Sequence, residues 1–297
     1  MQVSEGYVPT TEGVRVFYQR VGGGPTAVII PNAVFMFDDF RRLARGRTLI
    51  FIDWRYRGRS DCGADPRAHE GGIERDIDDL EAVRRHFGFA EVAVIAHSYS
   101  ALTAVLFAQR HPASASRVVQ IGPTPPVWGK QYPAELSCHD ETYTRVLADI
   151  ERLQQQRAAT DAKVFCEKFW AVLRELYVVD PADAGKLTFT PCEVAGERNF
   201  MKPWVESVLP SLARVNLSTD ALAAIATPVL TIHGGRDRST PYGGGREWVE
   251  RLPNARLVSV EHGGHLPWVE APDTVFGAID EFLAGRWPAT AQRVGAL

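Results

Sequence analysis

The sequence predicts an α/β fold: a mostly parallel β-sheet with helices on both faces and a mainly helical segment inserted late in the chain. Three observations predict it. Six short β-branched runs recur along the 297 residues, amphipathic helical patterns separate most of them, and the alternation stops between about residues 124 and 218. Runs that are apolar throughout belong to strands covered on both faces, as in parallel sheets crossed over by helices.

The elements follow in order. Residues 7–9 and 14–18 flank a turn at Glu12 and Gly13 and read as a hairpin. Gly22 to Pro25 break the chain before the first buried run, residues 27–30. Further runs occupy residues 47–53, 92–96, 118–121, 228–232 and 256–260. Ile73, Ile77, Leu80 and Phe87 recur near helical spacing, with Glu74, Asp78, Glu81 and Arg85 on the opposite face. Leu102, Val105, Leu106 and Gln109 continue a helix that opens at Ser98 and ends near His111. Residues 142–156 and 162–177 are helical stretches in a region with several prolines and tryptophans and no strand run. An insertion at that point covers the carboxyl edge of the sheet, where open α/β sheets bind ligands. Residues 1–123 and 219–297 are therefore expected to form the core, and residues 124–218 a helical cap.

Composition narrows the function. Hydrophobic residues make up 45% and charged residues 23%, enough apolar mass for one large core. The formal charge of −3 and the lack of a basic stripe among aromatics argue against nucleic acid and against docking to an anionic membrane. No apolar run reaches the ~18 residues of a membrane span, and the opening MQVSEGYVPTTEG does not read as a secretory leader. Cys62, Cys138, Cys166 and Cys192 are scattered without a CxxC pair, so reduced structural thiols in a cytoplasmic protein are expected, with no metal site. The expected partner is a small molecule, and no cofactor is called for.

The chemistry centres on residues 92–101, a strand that ends in Ser98 with a helix starting at once. Such a serine stands exposed on the positive end of a helix. Ala96 and Ser100 keep the turn small where glycine is usual. A serine hydroxyl needs an adjacent base to become a nucleophile. His265, in a Gly-Gly loop after the last strand, is the candidate, and His262 the competitor. His97 is expected to pack within the sheet, and His86 and His111 to end helices. The acid that orients the base is expected at Asp237, after a glycine turn beyond residue 232. The alternative place after Ile121 offers no carboxylate.

With these residues assembled, the chain resembles the α/β-hydrolase superfamily over nearly its whole length. Within it the nearest likeness is to proline iminopeptidase-like serine hydrolases. The carrying segments are residues 51–61 (FIDWRYRGRSD), 76–87 (DIDDLEAVRRHF), 233–237 and 261–265. The resemblance implies the α/β-hydrolase fold and a serine-triad mechanism, in the order Ser98, Asp237, His265. Two places depart from the family: Tyr56 stands where glycine is usual, and residues 31–35 read PNAVF in place of His-Gly-Gly-Pro-Gly. Matched residue by residue, the backbone N–H groups of Ala33 and Tyr99 would form the oxyanion hole. A backbone donor does not require glycine, but Asn32, Val34 and Phe35 are expected to reshape or narrow the site.

Trp128, Tyr132, Phe169, Trp170, Tyr177, Phe200 and Trp204 are candidates for an apolar substrate lining, with Phe35 and Tyr99 below. Glu193 and Glu197 are the candidates to bind a substrate amine, as cap acids do in the resembled peptidases. The expected activity is hydrolysis of a small, fairly apolar ester, lactone or amide through an acyl-enzyme. Three alternatives stay open: a proline iminopeptidase-like aminopeptidase, a biosynthetic acyltransferase or cyclase, and a non-catalytic small-ligand receptor.

Overall fold

Each β-branched run of the sequence becomes a strand of one sheet. In the computed structural model these are β1 (Val3–Pro9), β2 (Arg15–Gly22), β3 (Thr26–Pro31), β4 (Arg47–Ile52), β5 (Val92–His97), β6 (Ala115–Ile121), β7 (Val229–Gly234) and β8 (Ala255–Val260). The structure describes every residue except 1, 11–12, 62–70, 200, 216 and 296–297. Glu12, Cys62, His69 and Phe200 thus lie outside the described residues. The strand order is β1-β2-β4-β3-β5-β6-β7-β8. The hairpin β1–β2 and the β2–β4 pair are antiparallel, and the remaining pairs are parallel.

β5 is buried along its whole length, as is β7, so both faces of the sheet centre are covered. On one face lie α2 (Ile73–His86) and α3 (Tyr99–Arg110), packed by Ile77, Leu80, Leu102 and Val105. On the other lie α1 (Ala33–Phe40) and the C-terminal helix, packed by Met36, Phe40, Ile279 and Phe282. The helix before β5 carries the predicted apolar face, and His86 and His111 stand at helix ends as expected.

Between β6 and β7 the chain is helical and turn-rich. It contains α4 (Glu141–Gln156), α5 (Ala162–Leu173) and a series of 3-10 turns, then α6 (Met201–Pro203), α7 (Leu209–Arg214) and α8 (Thr219–Ala223). Asp140 caps α4 by accepting from the Tyr143 N–H, and Asp161 caps α5 by accepting from the Lys163 and Val164 N–H groups. Such caps stabilise a helix by about 1 kcal/mol each. Beyond β7 come α9 (Tyr242–Arg251), α10 (Pro267–Glu270) and α11 (Pro272–Leu283).

The cysteine expectation is corrected here. Cys166 on α5 and Cys192 in the turn Pro191–Glu193 are joined in a disulfide, with Cα atoms 5.8 Å apart. Their separation of 26 residues gave no sign that α5 and this turn pack side by side. The expectation of a reducing compartment rested on free thiols and loses that support. Among the described residues no helix is long and apolar enough to cross a membrane, and no group of His, Cys, Asp or Glu is placed to hold a metal ion.

Candidate active site

Ser98 sits between β5 and α3 with φ 60° and ψ −131°, a conformation that non-glycine residues rarely adopt. Strain of this kind costs on the order of 1–3 kcal/mol and persists only where the surroundings enforce it. Here the Ser98 N–H donates to Ile121 O at 2.9 Å, so β6 holds the turn from one side. Ser100, where glycine is usual, is fully buried, and its hydroxyl accepts from Trp54 Nε1 at 2.9 Å and from Asn32 Nδ2 at 3.2 Å.

His265 and Asp237 meet across two loops. Nδ1 of His265 lies 2.8 Å from Asp237 Oδ2, and both side chains are fully buried. Asp237 is saturated with donors. Its Oδ1 accepts from the N–H groups of Ser239 (2.7 Å) and Thr240 (2.8 Å), and its Oδ2 also accepts from the Thr240 hydroxyl at 2.8 Å. Burial by itself would raise this carboxyl, but the His265 and His233 rings hold it well below the usual carboxylate range. With Nδ1 engaged, Nε2 is the ring nitrogen left to work; it is buried and has no hydrogen-bond partner. The two loops touch backbone to backbone: a Cβ at Gly234 would lie 2.1 Å from Gly264 O. Glycine is required there by contact rather than by turn geometry alone.

Further bonds stitch these loops to the insertion. Leu266 N–H donates to Tyr177 O at 3.1 Å, and Glu270 accepts from the N–H groups of Gly264 and Val179. Arg238 donates to Val178 O and Val179 O and pairs with Asp140 at the start of α4. His262 is exposed and stands outside this arrangement. His97 is buried, as expected of a packing residue, but it also lines the cavity, with Nε2 3.0 Å from His265 O.

The loop after β3 takes an unusual path. Asn32 adopts φ 65°, a left-handed conformation that asparagine tolerates better than most residues. Ala33 then opens α1 as Tyr99 opens α3. The first N–H groups of a helix have no acceptor within it, so both point away from their helices. Tyr56, the other departure, has φ 62°, which explains why glycine is usual there.

Above Ser98 lies a cavity of about 80 Å3. It is lined by Asn32, Phe35, Asp39 and Arg57, by Trp170, Tyr177 and Phe189 of the insertion, and by Leu266 and Trp268 of the segment after β8. Of the candidate aromatics, Phe35, Tyr99, Trp170 and Tyr177 border this cavity. Phe169, Trp204, Trp128 and Tyr132 lie elsewhere. Phe169 packs inside the insertion with Phe165 and Cys166. Trp204 leans on Tyr99, ring centres 5.2 Å apart, and packs against the core. Trp128 lines a separate cavity with Tyr132 and Tyr143. Aromatic composition alone does not say which face of a short helix meets the site.

The two glutamates also separate. Glu193 is exposed and pairs with Lys163 on the surface. Glu197 is 2% exposed and engages Arg57, Nη2 to Oε2 at 3.0 Å and Nε to Oε1 at 3.3 Å, while Oε1 accepts from the Gly58 N–H at 2.8 Å. Arg57 donates in turn to the Tyr99 hydroxyl at 3.1 Å. Gly196 makes the approach possible, since a Cβ there would lie 2.3 Å from Gly58 O. Arg57 and Phe189 were not expected from sequence as cavity residues.

Comparison with known proteins places the chain in a family. The sequence profile of the alpha/beta hydrolase fold family matches residues 30–272. The chain belongs to that family. A proline iminopeptidase of Heyndrickxia coagulans is 24% identical over 94% of this chain and 98% of its own length. A pimeloyl-[acyl-carrier protein] methyl ester esterase of Xanthomonas campestris pv. campestris (strain B100) is 39% identical, over 22% of this chain and 25% of its own length. Among solved structures, an esterase from Exiguobacterium antarcticum superposes with a TM-score of 0.71 at 18% identity, covering 94% of this chain and 98% of that one. Esterases and a peptidase are thus among the similar proteins, and this hydrolase is an enzyme of the same broad kind.

Proposed function

We propose that the protein is a serine hydrolase that cleaves a small, fairly apolar ester through an acyl-enzyme intermediate. The observation that carries the reading is the buried Asp237–His265 pair, which leaves one imidazole nitrogen unpartnered, together with a serine held at a strained strand-to-helix turn. In this mechanism Ser98 Oγ attacks the substrate carbonyl carbon as its proton passes to His265 Nε2. The imidazolium is stabilised by Asp237. The Ala33 and Tyr99 N–H groups hold the oxyanion, each worth about 10²–10³ in turnover. The proton then goes to the leaving alcohol, and water, deprotonated by the same histidine, releases the acid.

The proline iminopeptidase among the relatives suggests a second reading, but the charge pattern favours the ester. A substrate ammonium needs a desolvated carboxylate. Glu197 is already neutralised by Arg57, Glu193 lies on the surface, and Asp39, a carboxylate that lines the cavity, is only half-buried and already accepts from Trp268 Nε1 at 2.8 Å. We expect kcat/KM for p-nitrophenyl butyrate to exceed that for proline β-naphthylamide by at least about tenfold. We also expect a fluorophosphonate probe to label the wild type and not Ser98→Ala. Equal or better turnover of the proline amide, lost in Glu197→Gln, would restore the peptidase reading. Labelling that persists in Ser98→Ala would remove Ser98 as the nucleophile.

A further inference from the structure

Trp170 separates two cavities. It lines the 80 Å3 cavity above Ser98, and it also lines a second, more open cavity of about 200 Å3 along α5, walled by Ala171, Arg174, Thr190, Pro191 and Cys192, with the solvated Glu167 and Glu193 also in its lining. No other described residue is shared by the two linings. The indole is 5% exposed and sits among four further rings: Phe35 at 5.1 Å, Phe189 at 5.5 Å, Tyr177 at 6.0 Å and Phe169 at 6.2 Å between centres. Cys166, one helical turn before Trp170, is tied by the disulfide to Cys192 in the outer wall. The partition therefore stands on a cross-linked support.

We infer that Trp170 is a specificity-determining residue that limits the substrate to a short acyl group, acetyl to butyryl, and that the outer cavity is the space a longer acyl chain would enter if the indole were removed. The inference rests on the ester-hydrolase reading above. Size decides which arm of the ester lies beneath Trp170. An 80 Å3 space holds on the order of five to eight water-sized atoms, enough for an acetyl to butyryl group and too few for an octanoyl chain, since one water already needs roughly 10–15 Å3 of such volume. A bulky leaving group must therefore stay at the mouth while a small acyl group goes in. Aromatic walls suit that group, because its binding comes from apolar area removed from water.

The test uses alkyl fluorophosphonates with ethyl and octyl arms, whose labelling rates do not depend on deacylation, together with p-nitrophenyl acetate, butyrate and octanoate. The wild type is expected to react with the ethyl probe at least about tenfold faster than with the octyl probe. Trp170→Ala should bring that ratio to near one and raise kcat/KM for the octanoate about tenfold, with loss on the acetate. Trp170→Phe, which keeps a ring and guards against a variant that fails to fold, should shift the ratio about threefold. A labelled wild type whose ratio is the same in folded Trp170→Ala and Trp170→Phe overturns the partition alone. A wild type labelled by neither probe overturns the serine-hydrolase reading and the partition together.

Discussion

Two buried carboxylates bound the site from opposite sides, and their partners set them apart. Asp237, 1% exposed at the end of β7, faces a histidine; Glu197, 2% exposed in the insertion, faces an arginine. Burial penalises the charge of both. Imidazole can take up and release a proton near neutral pH, so the Asp237 side is suited to proton transfer. Guanidinium stays charged, so the Glu197 side is a fixed, balanced pair that joins the insertion to the loop before Arg59 and to Tyr99. The same acidic chemistry thus serves reaction on one side and docking on the other.

The strongest way to break that comparison is to remove the proton carrier. His265→Ala is expected to lower kcat/KM for p-nitrophenyl butyrate by about 10⁴–10⁶, as triad members act as a unit. His262→Ala, at an exposed position, should stay within about twofold. Steady-state kinetics on folded variants check the ranking, and the opposite order would move the base to His262.

A third buried carboxyl sharpens the contrast because one of its oxygens has no partner. Asp76 is 4% exposed, and its Oδ2 lacks any hydrogen bond. Burial first, and then the neighbouring Asp79, push its pKa up to about 8, against the pull of Arg55 and Arg57. Between the ordinary value of about 3.9 and about 8, the folded protein holds a proton that the unfolded chain has released. Stability contributed by this group therefore falls as pH rises through that window and levels off above it. Asp76→Asn lacks the titration. Its stability relative to wild type should climb by about 5 kcal/mol from pH 4 to pH 8.5, since each tenfold difference in proton affinity is worth about 1.4 kcal/mol. Urea unfolding at several pH values measures it, and a gap that does not change with pH would mean that Asp76 is ionised in the folded state.

The sheet and the loops at its carboxyl edge were legible because period and motif are local. A β-branched run, a serine and a helix start lie within ten residues around Ser98, and Asp237 and His265 each follow a strand end. The left-handed Tyr56 was visible as a departure before its φ explained it. The insertion resisted for a physical reason. Its aromatics occur on short helices and 3-10 turns, where which face meets the site depends on packing between segments far apart in sequence. Trp128 and Trp204 went elsewhere, and Cys166 and Cys192 joined across 26 residues. Glu197 was singled out by resemblance, but the cation that occupies it, Arg57, comes from 140 residues away.

That pair gives the smallest of the expected effects and the sharpest separation between the two sides. Glu197→Gln keeps the shape and an acceptor oxygen but removes the carboxylate charge that faces the buried Arg57. Breaking one partner of a buried ion pair costs about 3 kcal/mol, because the remaining charge is uncompensated. Replacing both, Arg57→Met with Glu197→Gln, should recover most of that loss, as the cycle then removes the buried cation as well. Because Arg57 also donates to the Tyr99 hydroxyl, the single variant should lower kcat by about tenfold at most, far less than His265→Ala. Denaturant unfolding and p-nitrophenyl butyrate kinetics on the two singles and the double measure both quantities. A Glu197→Gln variant that loses activity as completely as His265→Ala while keeping full stability would show that the insertion side takes part in the reaction, and the contrast between the two carboxylates would collapse.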